Sequence, residues 1–369
     1  MPTSETSPLR GSHPAVGDSL TKYPTVSHGA LVTLPCMETS STPRFHSDFG
    51  GLWTDRDDSE SELQRRLANG SVNQDQEYLL RQWMANGYVI LEGAVDEKLC
   101  ARLADELADI FKNGSDVALY QVPEAPPGSG AHVPPGLPAE RMRLVDMYGF
   151  SRLAAEVLMA PAVEKFLRLI FDDNPLCFQG LTFEQGSGQG LHQDTAYVVV
   201  DRPLELAATW VALEDIREGS GELMYVEGSH RLPDWKFGGD SKHWDPMVHG
   251  DETHTEWSQW LVRKSEEMGL EKKIFRPKRG DVLVWSADLV HGGSPVGDRS
   301  LSRRSIVGHY CPASRTPHYF SYMPDRQTKM PFHSGFFSSA YFDLNDVDLK
   351  IPAQQEGLLR KMFGRRNRS

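Results

Sequence analysis

Three side chains have the types and spacing to hold a redox-active metal. His192 and Asp194 stand two residues apart in Gly190-Leu191-His192-Gln193-Asp194-Thr195-Ala196-Tyr197, and His291 follows about a hundred residues later in Val290-His291-Gly292-Gly293. Two imidazoles and one carboxylate can occupy one face of a metal and leave the opposite face open, the ligand set that suits ferrous iron in oxygen-activating sites. A bare H-x-D pattern is common by chance, so the surrounding sequence must carry the assignment.

The elements that would position these groups read as strands. Over residues 191 to 197 a strand would send i and i+2 to one side, so His192 and Asp194 share a face while Gln193 takes the other. The third ligand then arrives from a separate strand. Asp281 to His291 is an apolar β-type run ending at His291, where Gly292-Gly293 permits a sharp turn or a close backbone approach. Ser302 to Tyr310 reads as a further strand, and alternation directs only one of Arg303 and Arg304 inward. A buried guanidinium needs an anion, and its planar fork matches a carboxylate. On a solvated strand edge, both arginines would simply face water.

These segments resemble the phytanoyl-CoA dioxygenase family of iron(II) and 2-oxoglutarate dependent oxygenases. The resemblance is carried by His192-Gln193-Asp194, by Ala208 to Asp215 followed by Gly219-Ser220-Gly221-Glu222-Leu223, by Val226-Glu227-Gly228-Ser229-His230, by Gly280-Asp281-Val282, and by His291-Gly292-Gly293-Ser294-Pro295 followed by Arg303-Arg304. It runs from about residue 75 to about 312, with the motifs in the same order. It implies a mainly β fold with flanking helices around a double-stranded β-helix, the jelly roll of cupin-like proteins. It also implies that His192, Asp194 and His291 are the iron ligands and that Arg303 grips the distal carboxylate of 2-oxoglutarate. Arg304 is the alternative if the preceding loop shifts the register by one. Trp210 is placed where the family often lines the cosubstrate pocket, although an ordinary core aromatic reads the same way. Gln179 resembles a polar residue facing that cavity.

The implied activity is a dioxygenase reaction. Iron(II) is the cofactor, 2-oxoglutarate and dioxygen are cosubstrates converted to succinate and carbon dioxide, and an unactivated C–H bond of a small organic molecule is hydroxylated. Superfamily members that halogenate replace the carboxylate ligand with a small residue, so Asp194 favours hydroxylation or a related oxidation. The substrate, whether an amino acid, a lipid-like molecule or a specialised metabolite, does not follow from the fold. Two other classes stand beside this reading. One is a non-catalytic jelly-roll sensor that binds metal and 2-oxoglutarate without turnover; the other is a cupin-like metal hydrolase or isomerase, which needs no arginine clamp.

A chain of 369 residues with net charge -12 lacks the basic footprint of a nucleic-acid binder. Its four cysteines, Cys36, Cys100, Cys177 and Cys311, have no paired spacing, so neither a zinc ribbon nor a disulfide framework is expected. With no apolar leader and no apolar run of membrane-spanning length, a cytoplasmic location is expected; nothing in the sequence sets an oligomeric state. Residues 1–44, rich in Ser, Thr and Pro, read as a disordered extension, 45–345 as one oxygenase domain with its jelly-roll core over about 176–312, and 346–369 as a basic tail.

Within the domain, Phe49-Gly50-Gly51-Leu52-Trp53 has the aromatic content to pack on the body. A helix from Gln76 to Asn86 ends at Gly87, Tyr88 to Leu91 forms a strand, and Asp96 caps a helix with a stripe of Leu99, Leu103, Leu107, Ile110 and Phe111. Residues 121–138 form a loop rich in Pro and Gly, with Arg141 and Arg143 beyond it as possible anion contacts or plain surface residues. Residues 151–171 are helical with a break at Pro161, and strands dominate 176–230 and 274–312. The insertion at 231–273 brings Trp235, Trp244, Trp257 and Trp260, read first as a small core and second as a substrate wall, with His243, His249 and His254 expected on the surface.

Overall fold

The computed structural model describes residues 47–121, 129–140 and 142–345. The N-terminal extension, the basic tail, Cys36 and Arg141 lie outside the described residues. In chain order the elements are α1 (Ser59–Ala68), α2 (Gln74–Asn86), β1 (Tyr88–Leu91), α3 (Glu97–Asn113), β2 (Ser115–Gln121), β3 (Ala131–Val133), β4 (Arg143–Val145), α4 (Arg152–Leu158), α5 (Pro161–Phe171) and β5 (Pro175–Phe183). They continue with β6 (Ala207–Ala212), β7 (Leu223–Val226), α6 (Pro246–Glu267), β8 (Lys272–Phe275), β9 (Val282–Ser286), β10 (His291–Gly293), β11 (Ser305–Pro312), β12 (Met330–Phe332) and β13 (Gly335–Phe337).

Two sheets make the core. The larger runs β1-β9-β6-β11-β5-β4-β2-β3, with β13 joining β5 and β12 joining β13; the smaller is β10-β7-β8. Strand pairing is antiparallel throughout except for β13 with β5. Alternation divides the large sheet into two faces. Cross-strand partners Leu181, Val307, Trp210 and Leu283 lie on one face and pack with Leu223, Tyr225 and Phe275 of the small sheet. The opposite face, including Ile306, Val211 and Val282, packs under Leu80, Leu103, Leu107 and Leu167 of α2, α3 and α5. A mainly β core with flanking helices, as the sequence implies, therefore has one apolar layer between the sheets and another beneath the helices.

Local chemistry explains the helical layer. Asn73 and Gln76 form a reciprocal capping box at the start of α2, and Gly87 ends it at φ 79. A Cβ on Gly87 would also meet His230 Nδ1 at 2.4 Å. Asp96 accepts from the backbone of Lys98 and Leu99 at 2.9 and 3.0 Å, and the predicted α3 stripe is buried. Pro161 stands at the first turn of α5, which explains why 151–171 divides into two helices. Ahead of α1, Leu52 and Trp53 are buried, and Trp53 Nε1 donates to the Leu169 carbonyl at 3.0 Å.

Three expected strands differ. Residues 191–197 are not a strand: His192 makes an isolated bridge with His291, and Asp194–Ala196 is a 3-10 turn. The run from Asp281 to His291 is two strands in different sheets, β9 and β10, separated by Ala287–Val290. Between β5 and β6 lies the long irregular stretch 184–206, where strands were expected to dominate. The loop predicted over 121–138 contains β3, paired with β2; residues 122–128 lie outside the described part. Arg143 begins β4 and donates to Gln121 Oε1 at 3.3 Å. Cys100, Cys177 and Cys311 are buried free thiols.

Replacing Asp96 by Ala removes the α3 cap and is expected to lower the unfolding free energy by about 1 kcal/mol in a urea titration. Metal affinity should not change; a matching loss of affinity would show that the cap supports the site as well as the helix.

Candidate active site

The segment carrying His192 is stapled to β10 by reciprocal backbone bonds: His192 N donates to His291 O at 2.8 Å, and His291 N donates to His192 O at 2.9 Å. Asp194 N then donates to Ala287 O at 3.1 Å, which holds the 3-10 turn against the crossing between the sheets. The side chains of His192, Asp194 and His291 are buried, and one ligating atom from each lies within 4.8 Å of the others. Strand alternation does not produce this convergence; the bridge and the turn do.

Hydrogen bonds behind the three groups set their presentation. His192 Nδ1 faces the Gly190 carbonyl at 2.8 Å and His291 Nδ1 faces the Leu289 carbonyl at 2.9 Å. A carbonyl accepts only, so each Nδ1 carries a proton and Nε2 is the ring nitrogen turned to the cluster, the orientation that a metal ligand requires. Trp285 Nε1 donates to Asp194 Oδ2 at 2.8 Å, which leaves Oδ1 toward the imidazoles. Burial, reinforced by His291, holds His192 down to about 3, so it stays neutral at neutral pH. Burial opposes ionisation of Asp194, but His291, His309 and His192 outweigh it and keep the carboxyl below its usual range.

Further polar contacts brace the turn. Thr195 Oγ1 donates to Asp288 Oδ1 at 2.6 Å, and Gln193 Nε2 donates to the Asp288 carbonyl at 2.8 Å. Lys242, from the insertion and almost fully buried, donates to Asp288 Oδ2 and, at 3.2 Å, to Asp234 Oδ1. Burial works against the ammonium, but these two carboxylates raise its pKa above the ordinary value.

The two arginines are sorted by their surroundings. Arg303 is 2% exposed, with its guanidinium carbon 5.4 Å from the Phe183 ring and 5.5 Å from the Trp210 ring on the inner face. Its Nε and one terminal nitrogen have no protein partner. Burial lowers it to about 10, against the pull of Glu222, so it remains charged at neutral pH. Ser305, on the same inner face, also has a buried hydroxyl without a partner. Arg304 instead grips Glu184 with Nε and a terminal nitrogen at 2.8–2.9 Å. Trp210 is thus brought to Arg303, whereas Gln179 sits two rungs along β5, opposite His309.

Sequence reasoning missed His309, Trp285 and the Lys242–Asp288 brace. Trp285 had the signal of period-2 alternation, but the other two depend on tertiary contacts. The insertion's histidines are half-buried at the surface, and each has a hydrogen-bond partner. His254 Nε2 bonds the Tyr197 hydroxyl, His243 Nδ1 donates to the Ala196 carbonyl at 3.0 Å, and His249 Nδ1 accepts from the Asp245 backbone at 2.9 Å. Trp257 and Phe237 form a small core with Leu261, Val290 and Ala196, and Trp244 and Trp257 stand edge-on to Tyr197 at 6.3 and 5.9 Å. The insertion therefore has the small core expected of it, packed beside Tyr197, whose ring lies 5.6 Å from that of His192.

The sequence matches the family model described as phytanoyl-CoA dioxygenase (PhyH) over residues 83–305, more than half of the chain. The chain belongs to the phytanoyl-CoA dioxygenase family. No curated protein matches this family member in sequence. Among solved structures it is similar to SnoN, a non-heme alpha-ketoglutarate dependent epimerase from nogalamycin biosynthesis, at 15% identity and a TM-score of 0.50, over 71% of this chain and 97% of that one. That likeness shows a shared fold. Similarity also extends to EctD from S. alaskensis, at 16% identity and a TM-score of 0.46, over 66% of this chain and 78% of that one. For AviO1 from Streptomyces viridochromogenes Tue57, the corresponding values are 19%, 0.43, 67% and 99%. Among the described residues of this phytanoyl-CoA dioxygenase family member, no helix is long and apolar enough to cross a membrane.

Close approach of the two metal-bearing segments depends on Gly292. A Cβ there would meet Gly190 O at 2.7 Å and Gln189 O at 2.9 Å, both backbone atoms. Gly292→Ala keeps every candidate ligand yet is expected to weaken metal affinity by about tenfold or more, measured by competition with a chelator. Unchanged affinity would show that the bridge can open without disturbing the imidazoles.

Proposed function

We propose that this protein is an iron(II) and 2-oxoglutarate dependent dioxygenase that hydroxylates an unactivated C–H bond of a small organic molecule. The observation carrying this reading is the pairing of a His-Asp-His cluster with a buried, charged Arg303 that lacks a carboxylate partner. An uncompensated guanidinium in a protein interior costs several kcal/mol, so a bound dianionic cosubstrate is the natural counter-charge. A metal hydrolase on the same barrel would have no use for that arginine; a sensor would share both arginine and ligand set and differs in releasing no succinate.

His192 and His291 would hold iron through Nε2, and Asp194 through Oδ1 while Trp285 fixes its other oxygen. Arg303 would receive the distal carboxylate of 2-oxoglutarate, with Ser305 beside it and Trp210 as the apolar wall of the channel. When bound, the iron supplies the redox chemistry that couples conversion of 2-oxoglutarate and dioxygen into succinate and carbon dioxide to C–H oxidation. On the open side, Tyr197, Trp244 and His254 would contact the substrate and exclude bulk water. The fold shared with SnoN, an epimerase, does not choose the oxidative outcome; the retained carboxylate at Asp194 is what favours hydroxylation over halogenation. Buried unpaired thiols fit a reducing compartment such as the cytoplasm.

Anaerobic addition of iron(II) and then 2-oxoglutarate is expected to give the weak visible charge-transfer band of a chelated 2-oxo acid. Asp194→Ala should abolish the band, and Arg303→Ala should demand at least about tenfold more 2-oxoglutarate. Succinate release then becomes the readout for screening substrates. Folded, iron-loaded wild-type protein without a band would sink the cosubstrate assignment.

A further inference from the structure

His309 has no place in the candidate ligand set, yet it stands beside Asp194. It is 3% exposed, and its Nε2 lies 3.5 Å from Asp194 Oδ1, as near as His291 Nε2. That distance is too long for a strong hydrogen bond, and Nδ1 has no protein partner. A core histidine ordinarily satisfies its ring nitrogens, because an unmet polar atom in the interior is costly. The structure leaves Nδ1 of His309 without a partner and gives Nε2 a long contact to Asp194 Oδ1, so the imidazole is poorly satisfied where it stands.

Its position in the sheet says which ligand. His309 lies on the inner face of β11, in a cross-strand row with Gln179 on one side and Ala208 then Trp285 on the other. Trp285 is the residue bonded to Asp194, so this row marks the level of the metal along the barrel. Arg303 and the unpartnered Ser305 mark the other level, four residues from Ser305 to His309, or about 13 Å of strand before side chains reach inward. Val307 and Trp210 form the apolar wall between the two levels. Ala208, directly beside His309 in the sheet, adds no side chain beyond a methyl group to this level.

We infer that His309 is a cosubstrate-binding residue that donates a hydrogen bond to the metal-bound 2-oxo acid head, the carboxylate end opposite the one held by Arg303. This rests on the iron and 2-oxoglutarate reading above. One strand then addresses both ends of the five-carbon diacid: arginine and serine at the distal carboxylate, and imidazole at the proximal end. The contact comes from a neutral or charged imidazole alike, since either form carries an N–H.

The test compares two acids in anaerobic, iron-loaded protein without any primary substrate, following the charge-transfer band. 2-Oxoglutarate has both ends, whereas 2-oxobutyrate has only the 2-oxo acid head. His309→Leu is expected to weaken both by the same factor, about tenfold, and His309→Asn, which keeps a donor, should recover part of that loss. Arg303→Gln should erase the preference for 2-oxoglutarate and leave 2-oxobutyrate where it was. Unchanged affinities in His309→Leu would overturn the inference and pass the residue to the primary substrate. A loss confined to 2-oxoglutarate would overturn it by placing His309 at the distal end. Weaker iron(II) binding before any acid is added would overturn it by showing that His309 acts on Asp194. A wild-type protein that gives no band with either acid is a different signature, and it removes the underlying reading along with this one.

Discussion

The site depends on the reciprocal backbone pair between His192 and His291. One segment comes from an irregular stretch between β5 and β6, the other from the short strand β10, and neither is held at this point by a long ladder of its own. Two N–H to carbonyl bonds fix their separation, and Gly292 lets the backbones come close enough to make them. Everything nearer the chemistry inherits that geometry: the imidazole orientations set by Gly190 and Leu289, the angle of Asp194 under Trp285, and the approach of His309 to Asp194.

A two-bond staple is weak by itself, since each hydrogen bond contributes only about 1 kcal/mol net. The insertion reinforces it. Lys242 reaches from 231–273 into a fully buried position and joins Asp288, which in turn holds Thr195 and Gln193 on the metal loop. Buried charges of this kind add little stability beyond their desolvation cost. Their geometry is specific, however, and it ties the insertion to the loop that carries two candidate ligands. Asp234 extends the tie to Ser47, whose hydroxyl it accepts at 2.8 Å.

Much of this was legible in the sequence. Caps, stops and stripes rest on local chemistry, and Gly87, Asp96 and Pro161 mark the helices where they stand, whereas the Asn73 cap starts α2 at Gln74, two residues before the expected start. The spacing of His192 and Asp194 was informative although the strand predicted for it does not exist, because a bridge followed by a 3-10 turn also brings positions i and i+2 together. What failed was governed by contacts distant in sequence. The turn at Asp194–Ala196 is held by Ala287 and Asp288, which leave no trace near residue 194. The switch of sheets after Ser286 was hidden because Ala287, Leu289 and Val290 are buried throughout, so the apolar run continues across the break. His309 looked like any histidine in a strand, and only the row from Gln179 to Trp285 shows where it stands.

The change of sheet at Ala287–Val290 also bears on the order of assembly. Because β9 and β10 belong to different sheets, the chain cannot present His291 to His192 until both sheets exist and have closed on each other. The contact spans about a hundred residues, and pairings of that sequence separation form late and slowly. No local hairpin can capture the ion beforehand, so a bound metal rewards only the completed barrel. Binding energy at such a site would add to global stability rather than to one loop.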